Sequence, residues 1–134
     1  PEPYLPRRLR LVVADDHAIV RKGLVGLLNA EPDLQVVGEA GDGWEAIAKV
    51  RELNPDVVLM DLNMPRLDGM EVTRRIIAEF PGVRVIVSSM FDDSEKKALM
   101  KQLGAADYVA KGGDPASLLA AIRGLYGNGP QEGA

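Results

Sequence analysis

Short apolar runs alternate with amphipathic stretches along the chain, and this alternation constrains the fold more than any other feature of the sequence. The apolar runs are rich in β-branched residues, which is typical of strands buried in a parallel sheet. Strands are predicted at 9–14, 34–37, 57–61, 83–87 and 108–110. Because each parallel connection requires a right-handed crossover, this order predicts an α/β fold: a five-stranded parallel sheet with five helices on its two faces.

The stretches between the runs carry helix signals. The first contains an apolar stripe at helical spacing, which predicts that one face of a helix packs on the core. Its members are Val20, Leu24, Leu27 and Leu28. The second and third stretches begin with the pattern Asp-Gly-x-Glu, at Asp42 and Asp68, which predicts a side-chain cap at the start of each helix.

Polar side chains follow the carboxyl ends of the predicted strands. Asp61 ends the third strand, Asp15 and Asp16 follow the first, Ser89 follows the fourth and Lys111 follows the fifth. A charge at the end of a buried strand is costly unless it is solvated or paired, and ligands of open α/β sheets bind at that edge. In the doubly wound order 2-1-3-4-5, the first and third strands are neighbours, so the three carboxylates are predicted to share one crevice.

The composition excludes several other classes of protein. A length of 134 residues is that of one domain, and the net charge of −4 argues against direct binding of nucleic acid. No apolar run reaches the ~18 residues that a membrane span needs, and the N-terminal residues lack the apolar core of a signal peptide. The absence of cysteine excludes a disulfide framework or a thiolate metal site and fits a cytoplasmic location.

The predicted crevice suits a specific chemistry. Neighbouring carboxylates repel one another unless cations neutralise them, and oxygen ligands with open water positions suit Mg²⁺. Lys111 would supply a second, fixed positive charge. A carboxylate nucleophile, a divalent ion and a lysine together favour transfer of a phosphoryl group onto Asp61.

These residues also lie in a set of motifs with a family resemblance. The set comprises Val13-Ala14-Asp15-Asp16-His17, Met60-Asp61-Leu62-Asn63-Met64-Pro65 with Asp68-Gly69, Ser89, and Gly104-Ala105-Ala106-Asp107-Tyr108-Val109-Ala110-Lys111. It resembles the receiver domain of bacterial two-component response regulators. Val20-Arg21-Lys22-Gly23-Leu24 and Val37-Gly38-Glu39-Ala40 resemble the NarL/FixJ (LuxR-type) subgroup.

The resemblance covers residues 9–127 and implies the flavodoxin-like, CheY-like strand order 2-1-3-4-5. Residues 1–8 are predicted to be a tail, and 128–134 the start of a linker or tail. Members of the subgroup normally carry a C-terminal helix-turn-helix domain that binds DNA. We expect that output domain to be absent from this chain, and we expect no contact with a membrane.

The resemblance also implies roles for the site residues. A sensor histidine kinase would phosphorylate Asp61, and the protein would be a switch more than a turnover enzyme. Mg²⁺ would be held by Asp16, Asp61 and the backbone carbonyl of Asn63, while Asp15 would orient the metal-bound waters. Lys111 would contact the phosphoryl group.

A second group of residues would respond to the phosphoryl group or protect it from hydrolysis. By the resemblance, Ser89 would bind a phosphoryl oxygen and Tyr108 would swing inward behind it. This movement would alter the face made by the fourth helix, fifth strand and fifth helix, and would allow a homodimer to form on phosphorylation. Asn63 and Phe91 would guard the path of water to the acyl phosphate, so self-dephosphorylation is expected to be slow.

The same residues are compatible with other interpretations. Ser88 adjoins Ser89 and is the alternative switch hydroxyl, Tyr108 is also compatible with plain packing, and His17 stands beside two acids as a possible metal ligand or a structural helix start. The domain as a whole is also compatible with a phosphorylation-independent interaction module. A phosphatase of the haloacid-dehalogenase type would need a second acid two residues beyond the nucleophile, and Asn63 occupies that position.

Overall fold

The computed structural model describes residues 8–64, 68–90 and 94–126, and strands and helices alternate through all of them. The strands are β1 (Leu9–Ala14), β2 (Leu34–Ala40), β3 (Val57–Asp61), β4 (Arg84–Ser89) and β5 (Asp107–Ala110). The helices are α1 (Ala18–Asn29), α2 (Gly43–Leu53), α3 (Gly69–Glu79), α4 (Ser94–Leu103) and α5 (Pro115–Gly124). Among these described residues, no helix is long and apolar enough to cross a membrane.

The strands form one parallel sheet of order β2-β1-β3-β4-β5, as predicted. Side chains alternate between its two faces, so each face has its own core. One core lies under α2, α3 and α4 and includes Val12, Met60 and Ile76. The other lies under α1 and α5 and includes Val13, Leu59 and Ile122. The two central strands, β1 and β3, therefore contribute to both cores and end at the same edge of the sheet.

Strands β2, β4 and β5 and the apolar stripe of α1 differ from the sequence prediction. Strand β4 begins one residue later, at Arg84, and continues through Ser89, and β5 begins one residue earlier, at Asp107. Strand β2 continues three residues beyond Val37 because Glu39 and Ala40 pair with the end of β1. Val20, predicted to face the core, is 41% exposed. It lies in the first turn of α1, where it lines a cavity together with Leu59 of β3 and Val109 of β5 and is not covered.

The predicted caps on α2 and α3 are present. The side chain of Asp42 accepts a hydrogen bond from the Glu45 amide, and that of Asp68 accepts one from the Met70 amide. At the start of α3, a Cβ on Gly69 would lie 2.7 Å from the Leu62 Cα. The absence of a side chain at Gly69 therefore lets α3 begin directly against the loop that follows Asp61.

Candidate functional site

The ends of β1 and β3 bring together the acidic side chains that the sequence singled out. Asp15 is 2% exposed and Asp61 is 1% exposed, whereas the Asp16 side chain is 28% exposed. Ligand atoms of these three residues and of His17 all lie within 4.8 Å of one another. Adjacent parallel strands that end at one edge thus produce the predicted crevice of carboxylates.

Lys111 reaches this crevice from the end of β5. Its Nζ lies 2.9 Å from Asp61 Oδ2 and 3.0 Å from Asp15 Oδ2, and its side chain is only 8% exposed. Burial disfavours the ammonium form, but the hydrogen bonds to Asp61 and Asp15 outweigh burial and raise the pKa of Lys111 above its ordinary value. The lysine is therefore a fixed cation between two buried carboxylates.

The other oxygens of the two buried acids are held by the backbone of the loops that follow them. The His17 amide donates to Asp15 Oδ1 at 2.8 Å, and the Asn63 amide donates to Asp61 Oδ1 at 3.0 Å. Each acid thus accepts a backbone hydrogen bond on one oxygen and contacts Lys111 with the other. The same local turn, in which an aspartate accepts from the amide two residues ahead, orients both carboxylates.

Asp16 differs from its neighbours because one of its oxygens is buried without a partner. Its Oδ1 has no hydrogen bond in the structure, and the nearby His17 Nδ1 lies 3.5 Å away. A buried oxygen of this kind is costly unless a cation or water satisfies it. Carboxylate oxygens are the ligands that Mg²⁺ prefers, so the clustered donors fit the metal predicted from the sequence.

A protein-family model described as the response regulator receiver domain matches residues 11–123. This chain belongs to that family. It is 43% identical over 119 residues to the oxygen regulatory protein NreC of Staphylococcus aureus (strain JH9), a match that covers 88% of this chain and 55% of NreC. It is 41% identical over 118 residues to the response regulator GacA of Pseudomonas viridiflava, with 88% and 55% covered.

Solved structures agree with this assignment. A LuxR-family two-component response regulator from Aurantimonas sp. SI85-9A1 superposes with a TM-score of 0.84 at 38% identity, covering 88% of this chain and 84% of that one. The chain is thus a receiver domain of the NarL/FixJ (LuxR-type) subgroup. It spans about half the length of the curated relatives that it matches.

The predicted switch residues of this receiver domain lie next to the acidic cluster. Ser89 is 1% exposed, and its carbonyl accepts a hydrogen bond from the Lys111 amide at 2.8 Å. Ser88 is 8% exposed and is the register partner of Asp61 across β3 and β4. Tyr108 is partly buried on β5, where it packs against the core under α2, α3 and α4. Both serines therefore remain candidates, and the switch roles of Ser89 and Tyr108 stay predictions.

The remaining site predictions fall in less enclosed positions. Asn63 is exposed directly after the buried pair Asp61 and Leu62. The side chain of His17 is 67% exposed beside Asp15 and Asp16. Phe91, predicted to shield the phosphoryl group, lies outside the described residues.

Sequence reasoning gave no role to Arg21, which contacts Asp15 of the acidic cluster, or to Glu39, which pairs with Arg21. Arg21 on α1 donates to the backbone carbonyl of Asp15 at 2.7 Å and to Glu39 on β2 at 2.9 Å. The predicted end of β2 at 37 stopped short of Glu39. The sequence did contain a signal for this ion pair. Arg21 and Glu39 carry opposite charges, and each lies in one of the two segments that resemble the NarL/FixJ subgroup.

Proposed function

We propose that this receiver domain is a phosphorylation-activated signalling switch that accepts a phosphoryl group on Asp61 from a sensor histidine kinase. The observation that carries the proposal is the buried contact of the Asp61 carboxylate with the Lys111 ammonium, beside Asp15 and Asp16. Phosphoryl transfer depends mainly on positioning and on stabilisation of charge. This cluster provides a positioned nucleophile and a fixed cation in one crevice.

In the proposed transfer, an oxygen of the Asp61 carboxylate forms a bond to phosphorus as the P–N bond to the kinase's histidine breaks. The electron pair of the broken bond stays on the imidazole nitrogen, and the product is an acyl phosphate on Asp61. Lys111 stabilises the negative charge of the phosphoryl oxygens. Because Lys111 also contacts Asp15, its ammonium stays at the site when Asp61 exchanges that contact for the new bond.

The proposal assigns Mg²⁺ to the acidic cluster. Asp16, Asp61 and the backbone carbonyl of Asn63 would bind the ion, and Asp15 would orient its water ligands. The unpartnered buried oxygen of Asp16 supports this assignment. Bound there, Mg²⁺ would neutralise charge on the phosphoryl group during transfer.

The proposal extends to the output of the switch. Ser89 would bind a phosphoryl oxygen and Tyr108 would move inward, which would shift the population of two packings at α4, β5 and α5 and promote a homodimer. A DNA-binding helix-turn-helix domain outside residues 9–127 would carry the transcriptional output, and the domain would act in the cytoplasm. The LuxR-family likeness supports this reading.

The proposal also includes a long-lived phosphoryl group. Asn63 offers no general base near the Asp61 carboxylate, and Phe91 would shield the approach of water. Turnover is therefore expected to be slow, as suits a switch more than an enzyme.

Intact mass measurement after incubation with Mg²⁺ and acetyl phosphate tests the phosphoacceptor. The parent should gain one phosphoryl group, and Asp61→Asn should gain none because its amide is not a nucleophile. Asp42→Asn is the matched control, since it makes the same chemical change at the cap of α2 and should label as the parent does. Persistent labelling of Asp61→Asn would place the acceptor elsewhere, and an unlabelled parent would favour a phosphorylation-independent interaction module.

A further inference from the structure

Arg21 makes two short contacts that the phosphoryl-transfer chemistry does not use. Its Nη1 donates to the backbone carbonyl of Asp15 at 2.7 Å, and its Nε donates to Glu39 Oε1 at 2.9 Å. Its side chain is 17% exposed, which is low for an arginine on a helix with many exposed positions. The planar guanidinium can serve both acceptors at once because its donors are held in a rigid fork.

The Asp15 carbonyl lies beyond the hydrogen-bonded ladder of the sheet. Pairing of β1 with β2 ends at Ala14 and Ala40, and the Asp15 amide still donates to the Ala40 carbonyl at 2.9 Å. The carbonyl of Asp15 is then held by Arg21, which is itself held by Glu39, the neighbour of Ala40. Ala40 therefore holds the Asp15 amide directly. Glu39 holds the Asp15 carbonyl indirectly, through Arg21.

The Asp15 carbonyl belongs to the planar peptide group that joins Asp15 to Asp16. Fixing the direction of this carbonyl also fixes the orientation of the Asp16 amide and the place where the Asp16 side chain begins. Asp16 carries the buried oxygen that has no hydrogen-bond partner. We propose that Arg21, held by Glu39, is a positioning residue that aims the Asp16 carboxylate at the metal.

This inference rests on the proposed function because it requires the Mg²⁺ site. It also differs from a purely stabilising role for the ion pair of Arg21 and Glu39. A stabilising pair would affect the melting temperature of the metal-free protein, whereas a positioning residue must change Mg²⁺ affinity. A further alternative is that only the positive charge of Arg21 affects Mg²⁺ binding. The variant Arg21→Lys distinguishes this from positioning, because lysine keeps the charge but lacks the rigid pair of guanidinium donors.

Lys22 provides a matched control on the same helix. Its Nζ lies 3.1 Å from Glu39 Oε2, so it pairs with the same carboxylate as Arg21. Its side chain is 66% exposed, and it contacts Oε2 of Glu39, whereas Arg21 contacts Oε1. Replacing Lys22 therefore removes an ion pair of Glu39 and leaves the bond from Arg21 to Asp15 in place.

The test measures the Mg²⁺ dissociation constant of the full chain by isothermal titration calorimetry, together with the melting temperature without metal. Arg21→Lys should weaken Mg²⁺ binding about 10-fold, the lower end of the range seen when a residue that orients a metal ligand is lost. Glu39→Gln should weaken binding by less, because its amide oxygen still accepts from Arg21. Lys22→Gln should bind Mg²⁺ as the parent does.

The outcomes separate this inference from the proposed function. Parental Mg²⁺ affinity in Arg21→Lys and Glu39→Gln would overturn the positioning role, and a lowered melting temperature with that result would assign Arg21 to stability alone. An equal loss of affinity in Lys22→Gln would also overturn it, because charge near Glu39 would then be the cause. A parent that accepts the phosphoryl group but binds no Mg²⁺ would remove this inference and leave Asp61 as the acceptor, whereas a parent that binds Mg²⁺ but is never phosphorylated would refute the proposed function alone.

Discussion

Lys111 neutralises the charge of two buried carboxylates that would otherwise repel each other. Its ammonium contacts Asp61 at 2.9 Å and Asp15 at 3.0 Å, and all three side chains are less than one-tenth exposed. Removing one partner of a buried ion pair is far more costly than removing an exposed charge. The lysine therefore stabilises the fold as well as serving the proposed chemistry.

Replacing Lys111 with alanine should lower the free energy of unfolding by about 3 kcal/mol, because two buried charges lose their cation. Urea denaturation without Mg²⁺ measures this change. Lys101→Ala is the control, since Lys101 is exposed on α4 and its loss should cost less than about 0.5 kcal/mol. Equal stability of the two variants would show that the buried cluster does not depend on Lys111.

The two adjacent serines at the end of β4 lead to a paired prediction. Ser89→Ala should still accept a phosphoryl group on Asp61 but should lose the response of β5, because no hydroxyl would draw the loop inward. Ser88→Ala should keep that response. Amide NMR shifts of residues 107–110, with and without a beryllofluoride mimic, measure it, and the opposite result would make Ser88 the switch hydroxyl.

At the residue scale, the sequence predicted the acidic cluster with its lysine but not every contact around it. Asp15, Asp16, Asp61 and Lys111 could be predicted because strand ends in a parallel sheet meet at one edge. A pattern of strand ends does not separate the adjacent Ser88 and Ser89, both are buried in the fold, and only the family resemblance favours Ser89. The reach of Arg21 to the Asp15 carbonyl depends on the packing of α1 against β2, which a pattern along the chain does not contain.

Among the elements, α3 begins in close contact with the loop that follows Asp61. It begins at Gly69, where an added Cβ would lie 2.7 Å from the Leu62 Cα and 2.9 Å from the Leu62 carbonyl oxygen. Both atoms are backbone, so they cannot yield without moving the loop that carries Asp61 and Asn63. The start of this helix and the geometry of the loop that follows Asp61 are therefore coupled.

Gly69→Ala should lower the free energy of unfolding by about 2 kcal/mol, because overpacking against backbone forces the loop to shift. Denaturant titration measures the loss. Gly82→Ala is the control, since no atom lies within 4 Å of the position its Cβ would take. A Gly69→Ala variant as stable as Gly82→Ala would show that α3 can start elsewhere without cost.

Strand β2 was predicted three residues too short, and the cause is local. Gly38 interrupts the apolar pattern of β2, and glycine inside a strand usually signals a weak or ending strand. In the fold, a Cβ on Gly38 would lie 2.6 Å from Leu53 Cδ1. The side chain of Leu53 on α2 thus fills the space above Gly38, and the strand continues to Glu39 and Ala40.

At the scale of the whole molecule, Arg123 links the last helix, α5, to a loop in the first third of the chain. It pairs with Glu31 and Asp33 in the loop between α1 and β2. The hydrogen bond from Arg123 is the main reason that the pKa of Asp33 lies below its ordinary value of 3.8. The folded protein therefore binds a proton at Asp33 less readily than the unfolded chain does.

The sign of this shift sets a pH dependence. The contribution of Asp33 to stability is full above pH 3.8, the ordinary pKa, and is lost as the pH falls through the lower pKa of the folded state. Asp33→Asn should therefore be less stable than the parent at pH 6, and the difference should shrink as the pH falls below 3.8. Since the Asp33 side chain is 48% exposed, screening by solvent limits the difference at pH 6 to about 0.5 kcal/mol.

Urea denaturation of both proteins across this pH range measures the difference. Asp114→Asn is the control, because Asp114 caps α5 with its side chain and asparagine keeps that cap. A difference between Asp33→Asn and the parent that stays constant with pH would show that the pairing with Arg123 does not control the titration of Asp33.

The position of α5 also bears on how the domain is made. The core under α1 and α5 includes Leu11, Val13 and Leu59 from the first half of the chain, and Ile122 from its last helix. As the polypeptide leaves the ribosome, β1 can pair with β2, and each later strand then adds to the outer edge of the growing sheet. Helix α1 can cover only part of this face of the two central strands, and the rest stays uncovered until α5 has emerged. During synthesis the nascent domain therefore exposes apolar surface of the kind that chaperones recognise.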